Sequence, residues 1–545
     1  MNSKRNFGLA LLPLMLSIGV VVGIFMGRSM FDLNLSPQQE KLLSVLRLIE
    51  SDYVDKIDVD SLLEENYSQL VSLLDPHSAY ITAKDLTSVN EDLEGSFSGV
   101  GVSFQILNDT VNIIEIVSGG PSEKVGLLAG DQILKVDTVE LTGKNATNEN
   151  VFKFLRGKKG SKVTLEIKRQ SSAKPLNFEI TRGEVPVNSV DSKYMLSENT
   201  GYIKVSKFSR TTYNEFNKAL HELSAEGATD FIIDLRGNSG GYMDQAILMA
   251  NEFLPFGSLI VYTEGQNPLN QSLAMADGRG EFVNNPLAVL TDEFSASASE
   301  IFAGALQDND RGLVVGRRSF GKGLVQNQTT LPDNSALRLT VGRYYTPSGR
   351  SIQKEYKRGD NGKYEHDIND RYAHGEFYSA DSIKVDKSKV FKTQGGRTVY
   401  GGGGIMPDLF VPEDTTGYTS YYINVLNSGL IQKYAYKISD YYRNLLGNNK
   451  TLAHLNQVLP RDNSLLQNFV DFAAKNGVPA RWYYINKSKK LILRQLKAVI
   501  ARDLLGYNAF IQVLNESDNT VNSALDNLTK GVTPFSIQMN KRNKR

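Results

Sequence analysis

The 545-residue chain has no cysteine, one tryptophan and five histidines, and its charges nearly cancel to a net +1. Without cysteine there is neither a thiol nucleophile nor a lipoprotein anchor, and no particular redox compartment is demanded. No HExxH occurs, so the zinc-peptidase pattern is absent. The balanced charge argues against a general nucleic-acid binder, and the short basic tail 540–545 reads as solvated. The histidines are His77, His221, His366, His374 and His454, so none lies between positions 222 and 365. What is present is 41% hydrophobic and 22% charged residues, the mixture of a globular protein, over a length that needs three or four units.

Lys4 and Arg5 precede Phe7–Met26, an uncharged, mostly apolar run. About twenty such residues span a bilayer as a helix, and the end of the run, Ile24-Phe-Met-Gly-Arg28, has no small-x-small cleavage site. Residues 1–30 are therefore predicted to be an uncleaved anchor, with cleavage as the alternative. Lys4 and Arg5 stay on the cytoplasmic side, which places the body across the membrane. In residues 31–88, Leu42, Leu46, Ile49 and Tyr53 have helical spacing, and a second helix is predicted from Ser61 with Glu64 as its capping box. Leu74-Asp-Pro-His-Ser-Ala-Tyr80 is a turn, and His77 within it reads as structural.

The densest chemistry lies in 287–326. Leu287–Leu290 reads as a buried strand, a Ser/Ala cluster follows, Glu300–Asp308 has helical spacing, and Gly312–Gly316 is a second strand leading to Phe320-Gly-Lys-Gly323. Ser297 with Glu300 fits a capping box. GRRSFGKG nearly matches a phosphate-binding loop, but Gly323 stands where a Ser or Thr must hold magnesium. The alternative is a serine hydrolase with lysine as base. A serine hydroxyl needs a base, no histidine is near in sequence, and an apolar pocket holds a lysine amine neutral. Lys322, between Phe320 and Val325, has that setting.

SASASEIFAGALQD followed by VVGRRSFGKGLVQ resembles the catalytic signature of the carboxyl-terminal processing peptidases, or tail-specific proteases. The resemblance implies that Ser297 is the nucleophile, Lys322 the general base and Gln326 the residue that orients the lysine, with Ser295 and Ser299 as bystanders. It also implies that a turn like DLRGNSGG supplies an oxyanion-hole N–H from Gly241, with the N–H of Ala298 as the second donor. LDPHSxY is a similar turn in the family and points to scaffold. No metal or organic cofactor is implied.

Residues 89–184 carry short strands at Val100–Ile106, Thr110–Ile116, Gln132–Val136 and Lys162–Lys168, glycine turns, and a helix at Asn148–Leu155. SGVGVSF, GGPSEKVGLLAGDQILKV and FLRGKKGSKVTLEIKR resemble a PDZ domain. The loop Gly99, Val100, Gly101, Val102 can offer backbone N–H groups to a terminal carboxylate, and the strand after it can accept a peptide as an added strand. Arg156 is a candidate for coupling that event to the catalytic site.

Residues 185–412 alternate strand and helix, an α/β layered core, with a charged, tyrosine-rich insert near 354–402 expected to be a solvated loop or hairpin. Residues 413–545 read as helices over Tyr421–Leu446, Ser464–Asn476 and Lys487–Leu505, free to cover the core, form a homo-oligomer or hold an adaptor. The expected whole is an α/β multidomain protein: anchor, helices, PDZ β domain, protease core and helical extension. Its expected activity is hydrolysis of proteins chosen by their free C-terminus, in the periplasm of a bacterial envelope. A catalytically silent PDZ scaffold and a nucleotide hydrolase are the other classes. Loss of cleavage on changing Ser297, and nucleotide binding, separate the three.

Overall fold

The computed structural model describes residues 36–107 and 109–537. The run read as an anchor lies outside these, and among the described residues no helix is long and apolar enough to cross a membrane. The described residues divide into two compact units, with the break between Leu73 and Leu74. In the first, α1 (Pro37–Asp52) starts at a Ser36/Gln39 capping box, and α2 (Val59–Ser72) starts at Asp58. The predicted cap at Ser61 is corrected: Asp58 accepts the Asp60 N–H and the Ser61 hydroxyl, so the cap lies three residues earlier.

The second unit opens with β1 (Ala79–Ile81), α3 (Ala83–Glu94) and β2 (Ser96–Gly99). A small β domain follows: β3 (Val102–Leu107), β4 (Thr110–Ile116), α4 (Pro121–Val125), β5 (Gln132–Val136), β6 (Val139–Glu140), α5 (Asn148–Leu155), β7 (Lys162–Lys168) and β8 (Leu176–Thr181). Its antiparallel sheet runs β3-β4-β5-β7-β8, with β6 on β5. Val163, Leu165 and Ile167 alternate inward along β7, the period of a half-buried strand. β9 (Gly183–Pro186) returns to pair with β2 and closes the domain at its neck.

The larger domain is built on β10 (Val190–Met195), β11 (Thr200–Val205), β12 (Asp230–Asp234), β15 (Leu287–Thr291), β16 (Leu313–Gly316) and β21 (Leu409–Phe410), in that spatial order. All but the β10 edge are mutually parallel. The strands read as apolar throughout because both faces are covered. Ile203, Ile233, Val289 and Val314 sit in register under α6 (Thr212–Ala225), α7 (Met243–Asn251) and α8 (Ala298–Asp308). The alternate residues Tyr202, Ile232, Ala288 and Leu313 pack with the far C-terminal helices. A second sheet holds β1, β13 (Leu259–Glu264), β14 (Ser272–Met275), β17 (Leu324–Thr330) and β18 (Ala336–Tyr345).

The insert departs from expectation. It does contain a hairpin, β19 (Val390–Lys392) with β20 (Thr398–Tyr400), but also a helix, α9 (Gly362–Ala373), that buries Tyr364 and Arg371. Arg371 donates to the carbonyls of Ser319 and Arg318 and pairs with Glu376, which also binds Arg318, so the insert grips the loop after β16. Beyond it, α10 (Ser420–Asn427), α11 (Leu430–Leu446), α12 (Leu452–Val458), α13 (Asp462–Lys475) and α14 (Trp482–Leu505) share a core of their own. The stretch expected to be one helix, Tyr421–Leu446, is broken at Ser428-Gly429. Two further helices, α15 (Tyr507–Asn515) and α16 (Asn519–Thr529), lie on the parallel sheet and settle how this region meets the core.

Candidate active site

Adjacent parallel strands β12, β15 and β16 send their following loops to one edge of the sheet, where open α/β sheets place their sites. After β15 the chain reaches Ser297 at φ 56°, ψ −114°, costly for a residue with a Cβ. Its neighbours hold it there. The Ser297 N–H donates to Glu300 Oε2 at 2.9 Å, and its carbonyl accepts the N–H groups of Glu300 and Ile301. The flanking serines are buried and spent on structure. Ser295 Oγ donates to Leu235 O, and Ser299 Oγ donates to Asn238 O, both at 2.9 Å. Of the three, Ser297 alone is partly exposed, at the start of α8.

The loop after β16 is drawn to the same place by Glu300. This fully buried carboxylate accepts four donors: the N–H of Ser297 (2.9 Å) and of Lys322 (2.8 Å) on Oε2, and the Gly321 N–H (2.7 Å) and Ser319 hydroxyl (2.5 Å) on Oε1. Because one oxygen takes both amides, the nitrogens of Ser297 and Lys322 are no further apart than those two bonds laid end to end. Tyr344, from β18, ties the two residues a second time, with its hydroxyl 2.6 Å from Lys322 O and 3.2 Å from Ser297 O. Burial pushes Glu300 up to about 7 against the pull of its four donors. Desolvation lowers Lys322 from the ordinary lysine value, Arg338 lowers it further, and Glu300 and Asp75 oppose the shift. Gln326 lies on β17, and its Nε2 is buried with no hydrogen-bond partner among the described residues. The loop after β16 runs into a strand, not a helix, so the phosphate-loop geometry is missing.

The turn after β12 supplies the third side. A Cβ on Gly240 would come within 2.7 Å of Ser297 Cβ and 3.0 Å of Ala298 N, and one on Gly241 within 2.1 Å of Phe208 O. Only glycines let this turn press onto the serine. Gly240 N–H is used by Asn238 Oδ1 at 2.8 Å, whereas the N–H groups of Gly241 and Ala298 donate to no described residue. Two of the predicted backbone donors thus remain uncommitted next to Ser297.

Residues 199–361 match Peptidase family S41 and residues 98–181 match the PDZ domain, while 421–506 match a family of unknown function. The chain is 34% identical over 348 residues to the carboxy-terminal-processing protease of Bartonella bacilliformis, an alignment covering 61% of this chain and 79% of that one. It is 36% identical over 317 residues to the carboxy-terminal processing protease CtpA of Bacillus subtilis, covering 58% and 67%. The chain belongs to the carboxyl-terminal processing peptidases. It is a serine-type endopeptidase with a PDZ domain. The solved photosystem II D1 C-terminal processing protease is 27% identical, with 58% of this chain and 91% of that one covered at a TM-score of 0.33.

In this peptidase the PDZ strand β3 has β4 on one side and no strand on the other, among the described residues. Just before it, Val100 O is tied to Ser122 N–H and hydroxyl, and Gly101 O to Val117 N–H, which fixes the loop that includes Gly99 and leads into Val102. Phe104 of β3 meets Phe152 of α5 edge to face, with ring centroids 5.4 Å apart, so the helix packs beside the strand. Three participants in the catalytic region were not legible. Glu300 read only as a helix cap, Tyr344 carried no sequence signal, and His77, 220 positions from Ser297, faces Lys322 closely enough to be pushed down to about 4 by burial and by that lysine's charge.

Proposed function

We propose that Ser297 and Lys322 act as a dyad that cleaves peptide bonds through an acyl-enzyme. Neutral Lys322 takes the Ser297 proton, Ser297 attacks the carbonyl, and the N–H groups of Gly241 and Ala298 receive the oxyanion. Lys322 then protonates the leaving amine, and water repeats the sequence on the ester, with Gln326 orienting the amine. The observation that supports this most is the shared Glu300 oxygen, which draws together the backbones of a strained, partly exposed serine and a desolvated lysine. The substrate is a protein whose free C-terminus lies beside β3 as an added strand, its carboxylate at Gly99–Val102. Lys4, Arg5 and Phe7–Met26 further suggest an inner-membrane anchor with the body in the periplasm.

The test is cleavage of an unstructured casein by the body from about residue 30 onward, followed by mass spectrometry. Wild type is expected to cleave, and Ser297→Ala and Lys322→Ala are expected to fall by about 10⁴-fold or more. Cleavage surviving in Ser297→Ala moves the nucleophile elsewhere. Because only the neutral amine accepts a proton, the wild-type rate rises with pH, on a limb centred below the 10.5 of an ordinary lysine.

A further inference from the structure

We propose that Tyr364, delivered by the insert helix α9, is a positioning residue for the general base, acting through His77 and Gln353. The proposal rests on the reading of Lys322 as base and says what the insert adds to it.

The turn 75–78 is fastened to the strand that follows the base. Asp75 Oδ1 accepts the N–H groups of His77 (2.8 Å) and Ser78 (2.9 Å) and the Thr340 hydroxyl (3.0 Å), and Ser78 Oγ accepts the Thr340 N–H (3.0 Å). Thr340 is the cross-strand partner of Gln326, so His77 is held over the β17–β18 pair at the base. His77 Nε2 lies 2.7 Å from the Tyr364 hydroxyl, and Gln353 Nε2 donates to that hydroxyl at 3.4 Å. The hydroxyl accepts from Gln353 and keeps its own proton free for His77 Nε2, an arrangement in which the imidazole is a neutral acceptor.

The same tyrosine controls both neighbours of Lys322. Gln353 Oε1 accepts the Gly323 N–H at 2.7 Å, and Lys354 N–H donates to Gly321 O at 2.9 Å. The Lys354 ammonium lies over the rings of Phe320 (3.8 Å) and Tyr364 (4.2 Å) and is paired with Asp367 at 3.1 Å. Tyr364 is 4% exposed, so it has no surface to offer a substrate. Its effect must pass through what it packs on. Charges that face the base are Arg338, Glu300, Asp75 and His77, and those that face His77 are Lys322, Asp75 and Lys354. Tyr364 faces Glu300, Asp367, Asp75 and Lys354. Burial and the neighbouring lysines hold His77 well below its ordinary value, so it is a neutral ring that Tyr364 fixes in place. Without the Tyr364 hydroxyl, His77 and Gln353 lose their anchor and water reaches the amine, which returns the lysine toward its ordinary value.

The experiment is the pH profile of kcat for casein cleavage by wild type, Tyr364→Phe and His77→Gln, with Lys322→Ala as control and thermal unfolding of each. Tyr364→Phe keeps the ring and loses the hydroxyl. It is expected to lower kcat about tenfold at pH 7, to move the rising limb upward by about one pH unit, and to converge on wild type at high pH. His77→Gln is expected to move the limb in the same direction. A uniform loss at every pH, with the limb unmoved in both variants, means a merely structural role and overturns the proposal, as does an unchanged kcat. If Lys322→Ala cleaves like wild type, it is the base assignment that fails, whatever Tyr364 does.

Discussion

Glu300 is the residue on which the site converges, because four donors from two loops end on one carboxylate. An amide in its place keeps the shape but turns one acceptor into a donor that faces other donors. Glu300→Gln is expected to lose about 3 kcal/mol of stability in urea unfolding and at least about 100-fold in kcat, because the serine and lysine part. A variant that cleaves as fast as wild type would show that the shared oxygen is dispensable. The two other serines of SASAS make the contrast at this scale. They have the same chemistry as Ser297, but buried bonds to Leu235 O and Asn238 O leave them no hydroxyl to offer.

Helix α3 links the peptide reader to the catalytic domain through three side chains. Glu91 binds Arg156 at 2.6 Å, beside helix α5, and Asn90 accepts from Gln328 of β17. Glu94 accepts from Nε and Nη2 of Arg210 and from the hydroxyl of Tyr242, the residue after Gly241. The Arg156 guanidinium also lies over Phe97 and Phe152, at 4.7 and 5.0 Å from their centroids. The helix thus joins the PDZ domain to β17 and to the residue after Gly241. Arg156→Ala is expected to slow cleavage of a protein with an apolar tail at least about fivefold, while a short peptide without such a tail is cut at an unchanged rate. Equal loss on both substrates would remove Arg156 from the coupling and leave it a surface ion pair.

At the scale of the molecule, the C-terminal helices are part of the catalytic fold. Val521, Ala524 and Leu528 of α16 cover the sheet face formed by Ile232, Ala288, Leu290, Leu313 and Val315. The α16 cap, Asp518, binds Arg236 with both oxygens, at 3.1 and 2.9 Å, at the root of the turn that carries Gly241. Helix α14 reaches the PDZ sheet as well, where Arg502 binds Glu115 at 2.9 Å. A chain ended at residue 412 would leave one face of a parallel sheet bare, and it is expected to aggregate on expression. Val521→Asp in the full chain is expected to cost about 3 kcal/mol or more in urea unfolding. A soluble, active chain ending at 412 would overturn this reading.

Local pattern made much of this protein legible. The apolar runs at 231–235, 287–291 and 313–316, the PDZ strands and the helix after Ser297 follow from periodicity and turn residues, which act between near neighbours. The dyad candidates were legible through a long ungapped motif. What sequence order did not carry is which distant groups share a space. That His77 and Tyr364 meet, that Glu300 joins two loops besides capping a helix, and that α16 closes the far face of the sheet depend on strand order and on the path of the insert. The reason is physical: a cap or a strand is decided by a few adjacent residues, whereas the surroundings of a buried amine are decided by every segment that excludes water from it.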